Sequence, residues 1–151
     1  MIFVLRFFFQ GTHKLVEFLT QQQETATHFL VGVNILNNPE EFMAIFNQGG
    51  DMAVHTYTHP YMTSLTNEQV AAQLGWTMEI IRNSTGGRIP KYWRPPFGDS
   101  DNRVRAIAEE VSADSTPSSI YPHNMTVRFS AWRSLCGTKS ECISRYDRLT
   151  Y

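Results

Sequence analysis

The sequence lacks the features that mark membrane proteins and nucleic-acid-binding proteins. No apolar run approaches the roughly 20 residues that a membrane-spanning helix needs, so we expect no transmembrane segment. Lysine and arginine form no basic block and the formal net charge is -1, so we expect no nucleic acid partner. Only two cysteines occur, Cys136 and Cys142, and although they could close a small disulfide loop they do not indicate a compartment.

Three stretches of this 151-residue chain differ in composition, and the length suits one domain and not two. Residues 1–10 are apolar, but Arg6 interrupts them and no small-residue cleavage site follows. They make a poor signal peptide and favour either a buried strand or sequence foreign to the fold. Residues 11–111 alternate between helical and strand patterns. Residues 112–151 are rich in Ser, Thr, Pro and Arg, and we interpret them as an irregular, poorly ordered tail.

The middle stretch predicts an α/β fold. Short apolar runs at 26–32, 51–55 and 91–93 predict strands, and apolar residues at helical spacing predict intervening helices. This alternation indicates a parallel sheet or barrel covered by helices. In such folds the chemistry lies on loops at the carboxyl ends of the strands.

Three helix starts carry capping signals. Asn38 with Glu41, and Thr66 with Gln69, have the spacing of a capping box, in which the first side chain and the fourth each bond the other's backbone N–H. Asp101, or the serine before it, is placed to begin the last helix.

Two histidines, His55 and His59, lie four residues apart at the end of the second predicted strand. Neutral imidazole is a good ligand for zinc or cobalt, and two imidazoles at this spacing can meet one ion when they lie on a single helical turn. The simpler alternative is a pair of hydrogen-bonded loop residues. His13, His28 and His123 have no comparable setting, and we interpret them as structural or surface residues.

The stretch "RPPFGD" follows the third predicted strand. Two prolines fix the backbone and Gly98 permits a close approach of the chain. Such a loop can direct the N–H of Phe97 at a developing oxyanion, while Arg94 can hold a nearby carboxylate. The simpler alternative is a surface turn followed by a capped helix.

Taken together, "AVHTYTHPYMTSL", "GWTMEII" and "PKYWRPPFGDSDNRVRAIA" resemble the polysaccharide deacetylases of the NodB-homology type, carbohydrate esterase family 4, and most nearly the fungal chitin deacetylases. The resemblance covers residues 11–111. It implies a distorted (β/α) barrel and hydrolysis of carbon–nitrogen bonds other than peptide bonds: metal-assisted removal of acetyl groups from N-acetylglucosamine polymers, with zinc or cobalt. It also implies chitin or its oligomers as partner and a secreted or cell-wall location. We expect a monomer.

The resemblance assigns roles to particular residues. His55 and His59 match the family's two metal-binding histidines, and Arg94 matches the arginine that orients the catalytic aspartate. Phe97 stands where an aromatic residue lends its backbone N–H to the oxyanion.

Pro96 and Gly98 match the residues that shape that oxyanion loop in the family.

The sequence departs from the family pattern at both ends. The family's first motif, T-F-D-D-G-P, supplies the general base and the third metal ligand, but the matching region reads "RFFFQGTHKLVEFL" and no aspartate occurs before Asp51. Residues 112–151 align with neither of the last motifs, one of which carries the general acid. We therefore expect a partial barrel whose first-strand motif and last strands are missing or replaced, as in a fragment or an altered gene product.

Three functions remain open at this point. In the first, the chain is a deacetylase whose reaction is slow because the general base is absent. A general base typically raises the reaction rate about 10²–10⁴-fold. Alternatively it is a non-catalytic chitin-binding relative, in which Tyr57, Tyr61 and Trp93 stack on sugar rings. The third alternative is a non-functional fragment that does not fold alone.

Overall fold

The computed structural model of the chain describes residues 2–5, 9–111 and 127–128. Within them, helices and strands alternate through most of the chain. Their bounds are β1 (Ile2–Leu5), α1 (Phe9–Gln21), β2 (Thr27–Leu30), α2 (Gly32–Asn37), α3 (Pro39–Asn47), β3 (Asp51–Val54), α4 (Asn67–Ser84), β4 (Tyr92–Trp93), α5 (Asn102–Val111) and β5 (Val127–Arg128). The predictions about His123, Cys136 and Cys142 lie outside the described residues.

The strands form one sheet in the order β1-β2-β3-β4-β5. The first three neighbouring pairs are parallel and β5 runs antiparallel to β4. Leu30 pairs with Leu5 on one side and Val54 on the other, and Val54 pairs with Trp93. The carboxyl ends of four strands therefore meet at one edge. This confirms the predicted α/β class, while the described residues do not show a barrel.

Residues 2–5 form a strand, which is one of the two alternatives that the sequence left open for the amino-terminal segment. They pair in parallel with β2 along the whole length of both strands. Among the described residues, no helix is both long and apolar enough to cross a membrane.

The helix α4 supplies much of the core. Its apolar residues at helical spacing, Val70, Leu74, Met78 and Ile81, are each at most 2% exposed. Burying one such side chain contributes about 1.5–3 kcal/mol. This face packs in the same cluster as Trp93 and residues of α5, which fixes both helices relative to the sheet edge.

All three predicted helix starts are confirmed in position, and two of the three predicted caps form. The Gln69 N–H donates to Thr66 Oγ1 at 3.3 Å and the Thr66 N–H donates to Gln69 Oε1 at 3.0 Å, which completes the capping box. At the start of α5, the Val104 N–H donates to Asp101 Oδ1 at 2.7 Å. Both caps form as predicted because the donor and acceptor of each hydrogen bond are only three residues apart.

The predicted capping box at Asn38 is wrong. The Asn38 side chain makes no cap hydrogen bond to α3, and its amide instead donates to the Asn34 carbonyl at 3.1 Å. The reason is α2, a helix that the sequence did not predict, which ends directly before Asn38. Glu41 is only 2% exposed, and its Oε1 lies 3.4 Å from His13 Nε2.

Candidate functional site

The histidine pair lies on the loop that leaves β3 at the shared edge of the sheet. Residues 55–60 are irregular and not a helical turn, contrary to the geometry considered from the spacing. Even so, the ring centroids of His55 and His59 are 4.8 Å apart. Thr56 and His59 have φ of 67° and 63°, a region that residues other than glycine seldom adopt. Strained backbone of this kind persists only where surrounding contacts hold it.

Gln73, on α4, is one of the contacts that hold this loop. Its Oε1 accepts the Tyr57 N–H at 2.8 Å and the Thr58 N–H at 2.9 Å, and its Nε2 donates to Thr58 Oγ1 at 2.9 Å. Sequence analysis missed Gln73, because its position in a regular helix carries no local signal of a contact with a loop 15 residues earlier.

The amino terminus of α2 holds the same loop from the other side. The Gly32 N–H donates to the Thr56 carbonyl and the Val33 N–H to the Tyr57 carbonyl, both at 3.0 Å. A Cβ at Gly32 would lie 2.5 Å from Cδ2 of Tyr57 and 2.8 Å from Oγ1 of Thr77, so only glycine fits without displacement.

The orientation of His55 is set by the neighbouring strand. Its Nδ1 lies 2.8 Å from the Arg94 carbonyl oxygen. A carbonyl only accepts hydrogen bonds, so Nδ1 carries the proton and the lone pair of the ring is on Nε2. Metal-ligating histidines commonly have this arrangement, with one nitrogen bonded to a backbone carbonyl and the other directed to the ion. His55 itself is 3% exposed.

Arg94 packs back over the sheet. Its guanidinium carbon lies 4.3 Å from the ring centroid of Phe29, a residue of β2. Partial burial lowers the pKa of the Arg94 side chain from its usual value, and arginine remains a cation in proteins. Its role in orienting a catalytic aspartate stays a prediction.

Phe97 lies on the loop after β4, in left-handed conformation with φ of 57° and ψ of 7°. Pro96 before it is buried, and Gly98 after it has φ of 72°, a conformation that glycine adopts without strain. The Phe97 ring meets the His59 ring edge-on, with centroids 4.8 Å apart. The loop thus lies against His59 of the histidine pair, while the roles of Pro96, Phe97 and Gly98 stay predictions.

Tyr61 stacks on Phe97. The ring centroids are 4.3 Å apart with an angle of 17° between the planes, and each residue is 58% exposed. Of the three aromatic residues predicted to meet sugar rings, Tyr61 is therefore at the surface. Trp93 is not: it is 0% exposed in the core, so that prediction is wrong. Tyr57 is half-buried against Gly32.

Two imidazoles alone would supply only part of the ligands of a hydrolytic metal centre. In the part of the chain that the structure describes, no group of three His, Cys, Asp or Glu side chains could hold a metal ion. A catalytic zinc centre has three protein ligands and an open position for water. The described side chains do not fit a complete centre of that kind.

The class of domain follows from an α/β sheet whose parallel strands carry, at their carboxyl ends, paired histidines and an aromatic loop preceded by two prolines. The model of the polysaccharide deacetylase family matches residues 9–115. The chain belongs to the polysaccharide deacetylase family, as the motifs predicted. Members of this family are in general metal-dependent hydrolases.

Curated relatives are fungal proteins. The chain is 56% identical over 99 residues to "Chitin deacetylase 3" of Cryptococcus neoformans, an alignment that covers 64% of this chain and 24% of that protein. It is 39% identical over 92 residues to "Chitin deacetylase 1" of Saccharomyces cerevisiae, covering 61% and 30% respectively. The matched region thus spans about a quarter to a third of the length of these relatives.

Solved structures with a similar fold include a carbohydrate esterase and a pseudoenzyme. A family 4 carbohydrate esterase from Streptomyces lividans, in complex with acetate, has a TM-score of 0.64 at 32% identity, over 70% of this chain and 54% of that one. A CE4 family pseudoenzyme from Bacillus anthracis has a TM-score of 0.68 at 25% identity, over 72% and 38%.

Proposed function

We propose that this domain binds oligomers of N-acetylglucosamine of the chitin type and does not by itself hydrolyse their N-acetyl groups. The observation that carries the proposal is the exposed Tyr61–Phe97 stack directly beside the histidine pair. The stack provides a surface for a ligand, whereas the described side chains form no group of three His, Cys, Asp or Glu that could hold a metal ion for hydrolysis.

The stack suits a sugar ring. A pyranose presents an apolar face of C–H groups and a rim of hydroxyls, so it pairs with an aromatic face that is apolar but borders polar groups. Two large rings that are each more than half exposed leave apolar surface in contact with water, and a bound sugar would cover part of that surface.

The relatives support the class of sugar. Those quoted above carry the name chitin deacetylase, so a polymer of N-acetylglucosamine is the ligand to test first. A relative of this fold is described as a pseudoenzyme, which supports the idea that the fold persists in proteins that have lost catalysis.

A second candidate is metal-dependent hydrolysis of the N-acetyl amide, with His55 and His59 holding zinc or cobalt. The Nδ1 contact of His55 with the Arg94 carbonyl favours it, because this contact gives the imidazole the tautomer of a metal ligand. In this candidate, Arg94 and the Phe97 N–H keep the roles that the family assigns. It also needs a third ligand and a general base from outside the described residues.

One experiment separates the candidates. Binding of a chitin pentamer to the purified chain is measured by calorimetry, and acetate release is measured in parallel with added zinc or cobalt. We expect binding that Tyr61→Ala weakens about tenfold, since a lost aromatic contact is worth about 0.5–1.5 kcal/mol beyond its area, and no release of acetate. Acetate release that His55→Ala abolishes would establish the second candidate instead.

Failure to bind the pentamer by a chain that melts cooperatively would refute the proposal. A broad, non-cooperative melt would favour the third alternative, a fragment that does not fold alone.

A further inference from the structure

The two loops that carry Tyr61 and Phe97 are tied together by one carboxylate. Asp99 Oδ2 accepts the Thr63 backbone N–H at 2.8 Å, and the Thr63 hydroxyl lies 2.9 Å from Oδ1 and 3.0 Å from Oδ2. Thr63 belongs to the loop between β3 and α4, whereas Asp99 belongs to the loop between β4 and α5. Because the acceptor is ionised, these hydrogen bonds are of the stronger, charge-assisted kind.

Thr63 and Asp99 lie at equivalent positions relative to the two aromatic residues. Thr63 follows Tyr61 by two residues, and Asp99 follows Phe97 by two residues. Each loop is therefore joined to the other close behind the aromatic residue that it presents. The two rings stack although 36 residues separate them in sequence.

Arg103 of α5 also contacts Thr63, at its backbone carbonyl. Its Nη2 donates to the Thr63 carbonyl at 3.1 Å, and its Nη1 donates to Asn67 Oδ1 at 2.9 Å. Both backbone polar groups of Thr63 thus have partners on the segment that follows β4. The tie to Asp99 and the contact from Arg103 fix the loop after β3 from two directions.

We infer that Asp99 is a positioning residue for sugar binding: its carboxylate sets the loop after β3 against the loop after β4 and so creates the Tyr61–Phe97 stack. The ligand in this inference rests on the proposed function, but the geometric part stands without it. Asp99 acts through Thr63 and need not touch the sugar.

The test compares three variants of the full chain. Asp99→Ala removes all contacts with Thr63. Asp99→Asn keeps an acceptor for the Thr63 N–H and a polar partner for its hydroxyl. Asp51→Ala is the control, since it also removes an aspartate, but one that is exposed at the amino-terminal end of β3, away from the loops.

Two measurements are made on each variant: the nuclear magnetic resonance shifts of the Tyr61 ring protons and the affinity for a chitin pentamer. Stacking on Phe97 displaces the Tyr61 signals by the ring current. We expect Asp99→Ala to move these signals toward their unstacked positions and to weaken binding by up to about tenfold, the effect of leaving one or two interface side chains unordered. Asp99→Asn should largely restore both quantities, and Asp51→Ala should change neither.

Unchanged Tyr61 signals in a folded Asp99→Ala variant would overturn the inference. If the wild-type chain does not bind the pentamer, the proposed function fails, yet the Tyr61 signals still decide the inference. If Asp99→Ala does not fold, Thr63→Val decides it, because valine lacks the hydroxyl that contacts Asp99 but keeps the backbone N–H that donates to it. A shift of the Tyr61 signals toward their unstacked positions, smaller than that expected for Asp99→Ala, would then support the inference, and signals unchanged from the wild type would refute it.

Discussion

His28 should make the domain lose stability in mild acid, and His28→Phe should remove that loss. The imidazole lies in β2, is 0% exposed, and neither ring nitrogen has a hydrogen-bond partner among the described residues. Burial disfavours the charged form and lowers the pKa of His28 from 6.5 to about 4. Phenylalanine is the natural replacement, because it keeps an aromatic ring at this buried position and carries no titratable group.

The magnitude follows from proton linkage. As the pH falls through 6.5, His28 takes up a proton in the unfolded chain, but in the native protein it does so only near pH 4. The unfolding free energy due to this group therefore falls between these two pH values and is constant above and below them. A pKa difference of this size corresponds to about 3 kcal/mol, a large part of the roughly 5–15 kcal/mol that stabilises a typical domain.

Urea denaturation at a series of pH values between 4 and 8 measures the effect. The wild type should lose about 3 kcal/mol more than His28→Phe between pH 6.5 and 4. Between pH 7 and 8 the unfolding free energies of the two proteins should depend on pH in the same way. This range serves as an internal control for any packing change that the larger ring introduces beside Gly50. If the unfolding free energies of both proteins fell equally steeply with pH below 6.5, the reasoning would be refuted.

Three further predictions concern the loop that carries the histidines. Gln73→Leu leaves two N–H groups without their acceptor and should lower the unfolding free energy by about 1–3 kcal/mol, whereas Gln73→Glu should stay near the wild type; chemical denaturation of both checks this, and equal losses would contradict it. Gly32→Ala forces a Cβ to 2.5 Å from a Tyr57 ring carbon and should reduce stability by about 1–3 kcal/mol; a thermal melt like that of the wild type would show that the loop shifts freely. Zinc should bind the chain weakly in equilibrium dialysis, since three protein ligands are usual in catalytic sites; tight binding at one ion per chain that His59→Ala abolishes would show that a third ligand exists.

The helix starts show where prediction from sequence succeeds. The capping box of Thr66 and Gln69 needs only residues within one turn, and it forms as predicted. The same pattern at Asn38 fails, because α2 ends there and takes the Asn38 amide as its own partner. A short helix such as α2, with two of its six residues buried, leaves little periodicity to detect.

The sequence alone determined the family, the class of fold and the place of the candidate site. The histidines and the "RPPFGD" loop are contiguous motifs at the ends of apolar runs, and the absence of an aspartate before Asp51 is readable without coordinates. These features follow from the order of residues along the chain.

Only the tertiary structure decided how the site is held and which aromatic residue faces solvent. Trp93 and Tyr61 both lie near the motifs, but Trp93 is packed in the core and Tyr61 stacks on Phe97 at the surface. Gln73 and Asp99 bond loop residues 15 and 36 positions away. Contacts over such distances depend on the register of the parallel strands and the packing of the helices, which no local pattern specifies.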